Sequence, residues 1–328
     1  MNEMTHQQFR PAWWLYGGHP QTLWRKFAPI EPLIHSRQRI ELDDGDFIDL
    51  DWVGQPADPQ HTDRIVFLLH GLCGCSGSSY ILALQQLLTA RGVASVAMNF
   101  RGCSGEANRL ARAYHSGVSE DVEAVFQKLS AQYANSEFMF VGYSLGANVL
   151  LKWLGEHDHA QVSRGVAVST PFSLALCSRA MLGGLSKWYG RYFLNRLVQD
   201  FNAKKLALGA RDSQTELAKL DALGDLDQLR TIWEFDDRIT APLHGFANAE
   251  DYYSRCSSGQ FLASIGVETH LIQSTDDPLI PPAALPDAAR LPANINLHTS
   301  SRGGHVGFIA SPRAYWLENT IATLLQAH

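Results

Sequence analysis

The sequence predicts an α/β protein: a mostly parallel, doubly wound sheet with a helical insertion and an aromatic N-terminal arm. Three observations predict it. Short continuous apolar runs such as Ile65-Val66-Phe67-Leu68-Leu69 read as strands buried on both faces of a parallel sheet. Helical patterns alternate with those runs, as βαβ units require. The stretch from Pro171 to about Ile265 then breaks the alternation, with large apolar residues at near-helical spacing and no convincing strand.

The arm comes first. Residues 9–30 carry Phe9, Trp13, Trp14, Leu15, Trp24 and Phe27 around Gly17-Gly18-His19-Pro20-Gln21-Thr22, which reads as a segment that wraps the main domain and buries its rings. His19 reads as structural. Two alternating strands, Gln38–Leu42 and Phe47–Val53, flank the turn Asp43-Asp44-Gly45-Asp46, and residues 54–63 form a surface loop. Ile65–Leu69 is the first buried strand, and it ends in His70-Gly71-Leu72, with His70 bracing the loop. A helix over Tyr80–Ala90, a strand over Ala94–Phe100, a helix over Val118–Gln132 and a strand over Gly165–Ser169 follow the same alternation. Arg101 reads as a brace between loops. The sheet resumes at Glu268–Ser274 and Ile295–Ser300, and a helix over Tyr315–Gln326 closes the chain. The predicted core is thus residues 1–170 and 266–328, with the arm at 1–35 and a helical lid at 171–265.

Composition narrows the class. The chain has 328 residues, 45% hydrophobic and 18% charged, with a net charge of −6, which gives no reason to expect nucleic acid. Its five cysteines are odd in number and scattered, which suits free thiols in a reducing compartment. Cys73-Gly74-Cys75 is not a C-x-x-C pair and no His or Cys cluster has zinc spacing, so no metal is expected. Met1–Arg10 lacks the apolar core of a signal peptide, and no apolar run approaches the ~20 residues that span a bilayer. A cytoplasmic protein is expected. The insertion is basic: Arg179, Lys187, Arg191, Arg196, Lys204 and Lys205 face only Asp200. A solvated outer face is the plain explanation, and contact with anionic lipid is the rival one. Glu234, Asp236 and Asp237 read as helix-end and lid contacts.

The chemistry centres on Gly142-Tyr143-Ser144-Leu145-Gly146. It lies between the apolar run Phe138–Val141 and a helical pattern from Ala147 to about Leu154. Strand, G-x-S-x-G and helix in that order form a nucleophile elbow, in which glycines let the chain pass closely on either side of a strained serine. An acid after one strand (Asp276-Asp277-Pro278) and a histidine after the next (Gly303-Gly304-His305) complete the order Ser, Asp, His of the α/β-hydrolase fold. Of the two acids, Asp277 is favoured, because Pro278 restricts the residue before it to extended conformations. The sharp turn at His70-Gly71-Leu72 supplies one oxyanion-hole amide and the residue after the nucleophile the other, here Leu72 and Leu145. A plain Gly-rich βα turn is the alternative there.

These motifs resemble the YheT-like branch of α/β-hydrolases. The likeness runs through His19-Pro20-Gln21-Thr22, His70-Gly71-Leu72, Phe100-Arg101-Gly102-Cys103-Ser104-Gly105-Glu106, Tyr114-His115-Ser116-Gly117, Gly142-Tyr143-Ser144-Leu145-Gly146, Phe235-Asp236-Asp237 with Gly245-Phe246, and Gly303-Gly304-His305-Val306-Gly307-Phe308. Asp277-Pro278-Leu279-Ile280-Pro281 also resembles the family's acid loop. That branch groups bacterial esterases, eukaryotic lipid-acting hydrolases and acyltransferases that make ethyl esters. The resemblance therefore implies a small-molecule or lipid ester as substrate, with a medium or long acyl chain. The expected activity is a cofactor-free serine hydrolase using Ser144, His305 and Asp277, with the Leu72 and Leu145 amides binding the oxyanion. Acyl transfer to an alcohol and non-catalytic binding of an acyl ligand are the rival readings.

Overall fold

The computed structural model describes residues 9–27, 30, 33–61, 63–312 and 315–326. Eight strands form one sheet: β1 (Ser36–Glu41), β2 (Phe47–Val53), β3 (Arg64–Leu69), β4 (Ala94–Asn99), β5 (Glu137–Tyr143), β6 (Val162–Val168), β7 (Glu268–Ser274) and β8 (Ile295–Ser300). Their order is β1-β2-β4-β3-β5-β6-β7-β8. β2 runs antiparallel to both β1 and β4, and the other neighbours are parallel. Charge pairing supports the register of the first hairpin. Arg37 and Arg39 lie directly opposite Asp51 and Asp49, and each guanidinium grips its carboxylate with two hydrogen bonds of 2.8–2.9 Å.

The apolar runs become strands because both faces of the sheet are covered. On β3, Ile65, Phe67 and Leu69 pack with helices α3 (Ser119–Gln132) and α4 (Leu145–Glu156). The alternate residues Val66 and Leu68 pack with α2 (Ser79–Ala90) and the closing helix α11 (Trp316–Leu324).

The arm differs from its sequence expectation in two ways. Residues Gly18–Phe27 form a helix, α1, despite Gly18 and Pro20, since proline is tolerated in a first helical turn. Its rings are only partly covered. Phe9 and Leu15 are buried and Trp14 packs edge-on against Trp24, yet Trp13 is 90% exposed and Phe27 75%. A buried ion pair between Arg25 and Glu318 ties α1 to α11. Residues 1–8, on which most of the signal-peptide reading rests, lie outside the described residues. No helix among the described residues is long and apolar enough to cross a membrane.

Between β6 and β7 the regular elements among the described residues are all helical: α5 (Leu174–Ala180), α6 (Lys187–Ala210), α7 (Gln214–Asp221), α8 (Ile232–Phe235), a π-helical turn (Asp236–Thr240), α9 (Ala241–Leu243) and α10 (Ala249–Cys256), with 3₁₀ turns at Gly184–Ser186, Ser258–Gln260 and Leu262–Ser264. Leu194, Phe201 and Leu208, spaced seven apart on α6, pack with Leu220, Leu226, Phe235 and Ile239 into a small core of their own.

One lysine of this segment departs from the solvated face expected of it. Lys204 is 8% exposed and donates to the carbonyls of Ala111 and Arg112, fastening α6 to the loop before α3. Burial lowers its pKa to about 7, against the pull of Asp46, Cys103 and Glu216, with Arg101 adding to the lowering. The unfolded chain therefore binds more protons than the folded one between about pH 7 and pH 10, and stability contributed by this site rises with pH. Lys204→Met should remove that rise. Wild type should gain on the variant by up to about 1.4 kcal/mol per pH unit across this window, followed by urea titrations. Parallel pH profiles for the two proteins would contradict the burial argument.

Candidate active site

The turn between β5 and α4 sets the geometry. Ser144 has φ 52° and ψ −118°, a strained conformation for a residue with a side chain. The residues two positions away on either side, Gly142 and Gly146, lack a Cβ and let the chain pass closely there. One on Gly146 would come within 2.5 Å of the carbonyl oxygens of Leu69 and His70 at the end of β3. One on Gly142 would stand 2.6 Å from the Cα of Ala147. The Ser144 side chain thus projects above the C-terminal edge of the sheet, at the start of α4.

His305 follows β8 and reaches this serine. Its Nε2 lies 2.8 Å from Ser144 Oγ, and its Nδ1 lies 2.8 Å from Asp277 Oδ2. The other Asp277 oxygen accepts from the backbone N–H groups of Leu279 and Ile280 at 2.8 and 3.2 Å, so this carboxylate is 7% exposed and held from both sides. Asp276 points elsewhere, and its Oδ1 accepts from the amide of Gly304 at 2.9 Å. Leu72 and Leu145 line the same cavity as Ser144 and His305. Leu145 opens α4, where a backbone N–H has no acceptor within the helix.

The loops around the site are braced by Gln21 and Thr22, to which the sequence assigned no role, and by His19, His70 and Arg101, which it read as structural. Gln21 on α1 donates to the carbonyls of Leu15 and Ile309 and accepts from the amide of Ile309 at 2.7 Å. Thr22 Oγ1 accepts from the amide of His305 itself at 2.8 Å. His19 stacks on Tyr189 of α6 and shares a 3.2 Å hydrogen bond with its hydroxyl, linking the arm to the insertion. Only the short polar run His19–Thr22 among the arm's aromatics could have hinted at this. His70 Nδ1 donates to the carbonyl of Gly71 and Nε2 accepts from the amide of Phe100, which joins the ends of β3 and β4. Burial lowers the His70 pKa to about 4, so the ring stays neutral at physiological pH. Arg101 is 4% exposed and binds Asp121 with two hydrogen bonds while reaching Asp44 and Asp46.

Above Ser144 opens a cavity of about 340 Å³ between the sheet and the helical insertion. Its walls are mostly apolar and include Leu174, Met181, Phe193, Phe201, Phe235 and Ile239. The acidic cluster divides. Glu234 completes a capping box with Thr231, and Asp237 accepts from the amide of Ala249. Asp236 is a buried part of the cavity wall, hydrogen bonded to Thr240 and Tyr253, and burial raises its pKa to about 6. The outer side of the insertion leaves Leu182, Leu185, Trp188 and Tyr192 exposed beside Lys187 and Arg191.

A sheet of this order, with a strand–serine–helix turn at its centre, is the architecture of the α/β-hydrolases. The alpha/beta hydrolase fold family matches residues 64–312. The Escherichia coli protein named "Putative esterase YheT" is 41% identical over 295 residues, spanning 89% of this chain and 84% of its own. Mouse "Phospholipase ABHD3" is 29% identical over 313 residues, covering 92% of this chain and 74% of its own. The solved Pyrococcus furiosus esterase Pf2001 superposes with a TM-score of 0.57 at 15% identity, covering 91% of this chain and 97% of its own, a likeness of fold alone. The chain belongs to the α/β-hydrolase family, in its YheT-like branch.

The crowding at the turn generates a test. Gly146→Ala places a methyl against two backbone carbonyls that neither rotate nor retreat. It should destabilise the protein by about 3 kcal/mol, the upper end for overpacking, and lower any esterase activity with it. A melting temperature within a degree of wild type would show that the β3–α4 approach is looser than its geometry indicates.

Proposed function

We propose that the protein is a serine hydrolase that cleaves carboxylic esters, with acyl chains of medium length or longer, through an acyl-enzyme. The observation that carries this reading is the 2.8 Å contact of Ser144 Oγ with His305 Nε2 at the mouth of an apolar cavity. In this mechanism His305 Nε2 takes the proton as Oγ attacks the ester carbonyl carbon. Asp277 holds the imidazole by Nδ1–H and stabilises its charged form. The Leu72 and Leu145 amides bind the oxyanion, a contribution on the order of 3 kcal/mol for one such donor. The leaving alcohol takes the proton from His305. Water, deprotonated by the same nitrogen, then attacks the acyl carbon; the bond to Ser144 Oγ breaks, Oγ takes the proton back from His305, and the acid leaves. The names of the relatives, an esterase and a phospholipase, support an ester as the scissile group.

The apolar lining supports a role for the helical insertion as a lid and as the wall of the acyl pocket. The exposed leucines and aromatics beside Lys187 and Arg191 support contact with an anionic lipid surface when the ester is presented there.

Three measurements test this reading. Ser144→Ala should lower ester turnover by ~10⁶ and Asp277→Asn by up to ~10⁴, whereas Asp276→Asn keeps an acceptor for the Gly304 amide and should cost about tenfold or less. Near-wild-type turnover by Ser144→Ala, free of contaminating esterase, overturns the mechanism. A crippled Asp276→Asn moves the acid by one residue. On p-nitrophenyl esters, kcat/KM should rise about fourfold for each methylene beyond acetate until the pocket is filled, since each buried methylene contributes about 0.8 kcal/mol. The long-chain rates should rise further on anionic vesicles and not on zwitterionic ones. A strict preference for acetate would remove the acyl-pocket assignment.

A further inference from the structure

The sequence shows no run of histidines and cysteines at zinc-finger spacing, yet folding brings three metal-type donors together well away from Ser144. Glu123 lies in α3, and His157 and His159 lie just beyond the end of α4. Glu123 Oε2 is 2.8 Å from His159 Nε2 and 3.8 Å from His157 Nδ1, and the three donor atoms all lie within 4.8 Å of one another. We propose that Glu123, His157 and His159 form a binding site for a divalent transition metal of the zinc class, which would fasten α3 to the α4–β6 connection.

Several features support a site rather than a chance meeting. The two imidazoles are nearly parallel, 18° apart with ring centroids separated by 6.0 Å. The carboxylate is aimed by other groups: Trp153 Nε1 donates to Oε2 at 2.8 Å and Gln127 Nε2 donates to Oε1 at 2.7 Å. His159 is itself stacked on Trp153. Oriented carboxylates and imidazoles of this kind distinguish metal sites from loose surface pairs. Bonds of about 2.0–2.2 Å to tetrahedral zinc place donor atoms roughly 3.4 Å apart, within the spread seen here. Two nitrogens and one carboxylate suit zinc, cobalt or nickel better than magnesium or calcium, and leave a fourth position to water. Each of the three side chains is partly exposed, which leaves an entry path.

A metal bound at His159 Nε2 would replace the hydrogen bond to Glu123 and leave the ring proton on Nδ1, so Glu123 and His159 would meet through the metal instead of directly. Residues 144 and 157 stand at opposite ends of α4, about 20 Å apart at 1.5 Å per residue, so the site can be altered without touching the serine.

The test uses the full-length protein freed of metal with EDTA and titrated with zinc by calorimetry and with cobalt(II) by absorption. One equivalent of zinc should bind at micromolar concentration or tighter and raise the melting temperature. Cobalt(II) should give visible d–d bands without a thiolate charge-transfer band, which separates this site from the cysteines Cys73, Cys75 and Cys103. His157→Ala leaves the His159–Glu123 contact in place and should weaken zinc binding at least tenfold, with an unchanged melting temperature in EDTA. His159→Ala should weaken it as much, and Cys73→Ser should not. The proposal is overturned if zinc binds only at millimolar concentration, if the histidine variants bind as wild type does, or if cobalt(II) reports sulfur ligands.

Discussion

The close approach of Gly146 to the last peptides of β3 is the constraint on which the site's geometry depends. Leu69 and Gly142 are partners in the parallel β3–β5 ladder, so the two strands end side by side. The chain leaving β5 must turn at once into α4, and it does so across the Leu69 and His70 carbonyls with no room for a side chain at position 146. In the same turn Ser144 takes positive φ, and its Cβ lies 3.2 Å from where a Cβ on Gly71 would stand. The loop carrying Leu72 thus lies against the serine's turn, held further by the Tyr80 hydroxyl on the Gly71 amide and the Tyr114 hydroxyl on the Cys73 amide. The neutral His70 ring keeps the β3 loop in place by spanning it to β4.

On the other side of the serine, the histidine loop is held from outside the sheet. Val306 and Phe308 both have positive φ, so the loop is strained at two places close to His305. Gln21, Thr22 and Ser169 satisfy its backbone amides, and Gly304 admits the carbonyl of Gly18 where a Cβ would come within 2.3 Å. The N-terminal arm thus clamps the histidine loop and covers apolar surface only in part, with Trp13 and Phe27 left in solvent.

Much of the sheet was legible in the sequence because a strand covered on both faces must be apolar throughout. Ile65–Leu69 and Phe138–Val141 could be little else. Ser144, Asp277 and His305 stood out for a related reason, since each follows directly on such a strand. Pro278 gave a local ground for separating Asp277 from Asp276. What escaped notice depends on partners far away in the chain. The contacts of Gln21 with Ile309 span 288 residues. Lys204 resembled its basic neighbours until α6 docked on the 111–112 loop. The grouping of Glu123 with His157 and His159 joins a helix to a connection more than thirty positions later, so no local spacing could reveal it.

The account stands or falls on Ser144 as the nucleophile. The most direct measurement is peptide mapping by mass spectrometry after a fluorophosphonate probe has reacted with the native and the heat-unfolded protein. The account predicts one adduct, on the peptide containing Ser144, formed in the native protein and absent after unfolding. A native protein that takes up no probe, or an adduct on any other residue, would contradict it.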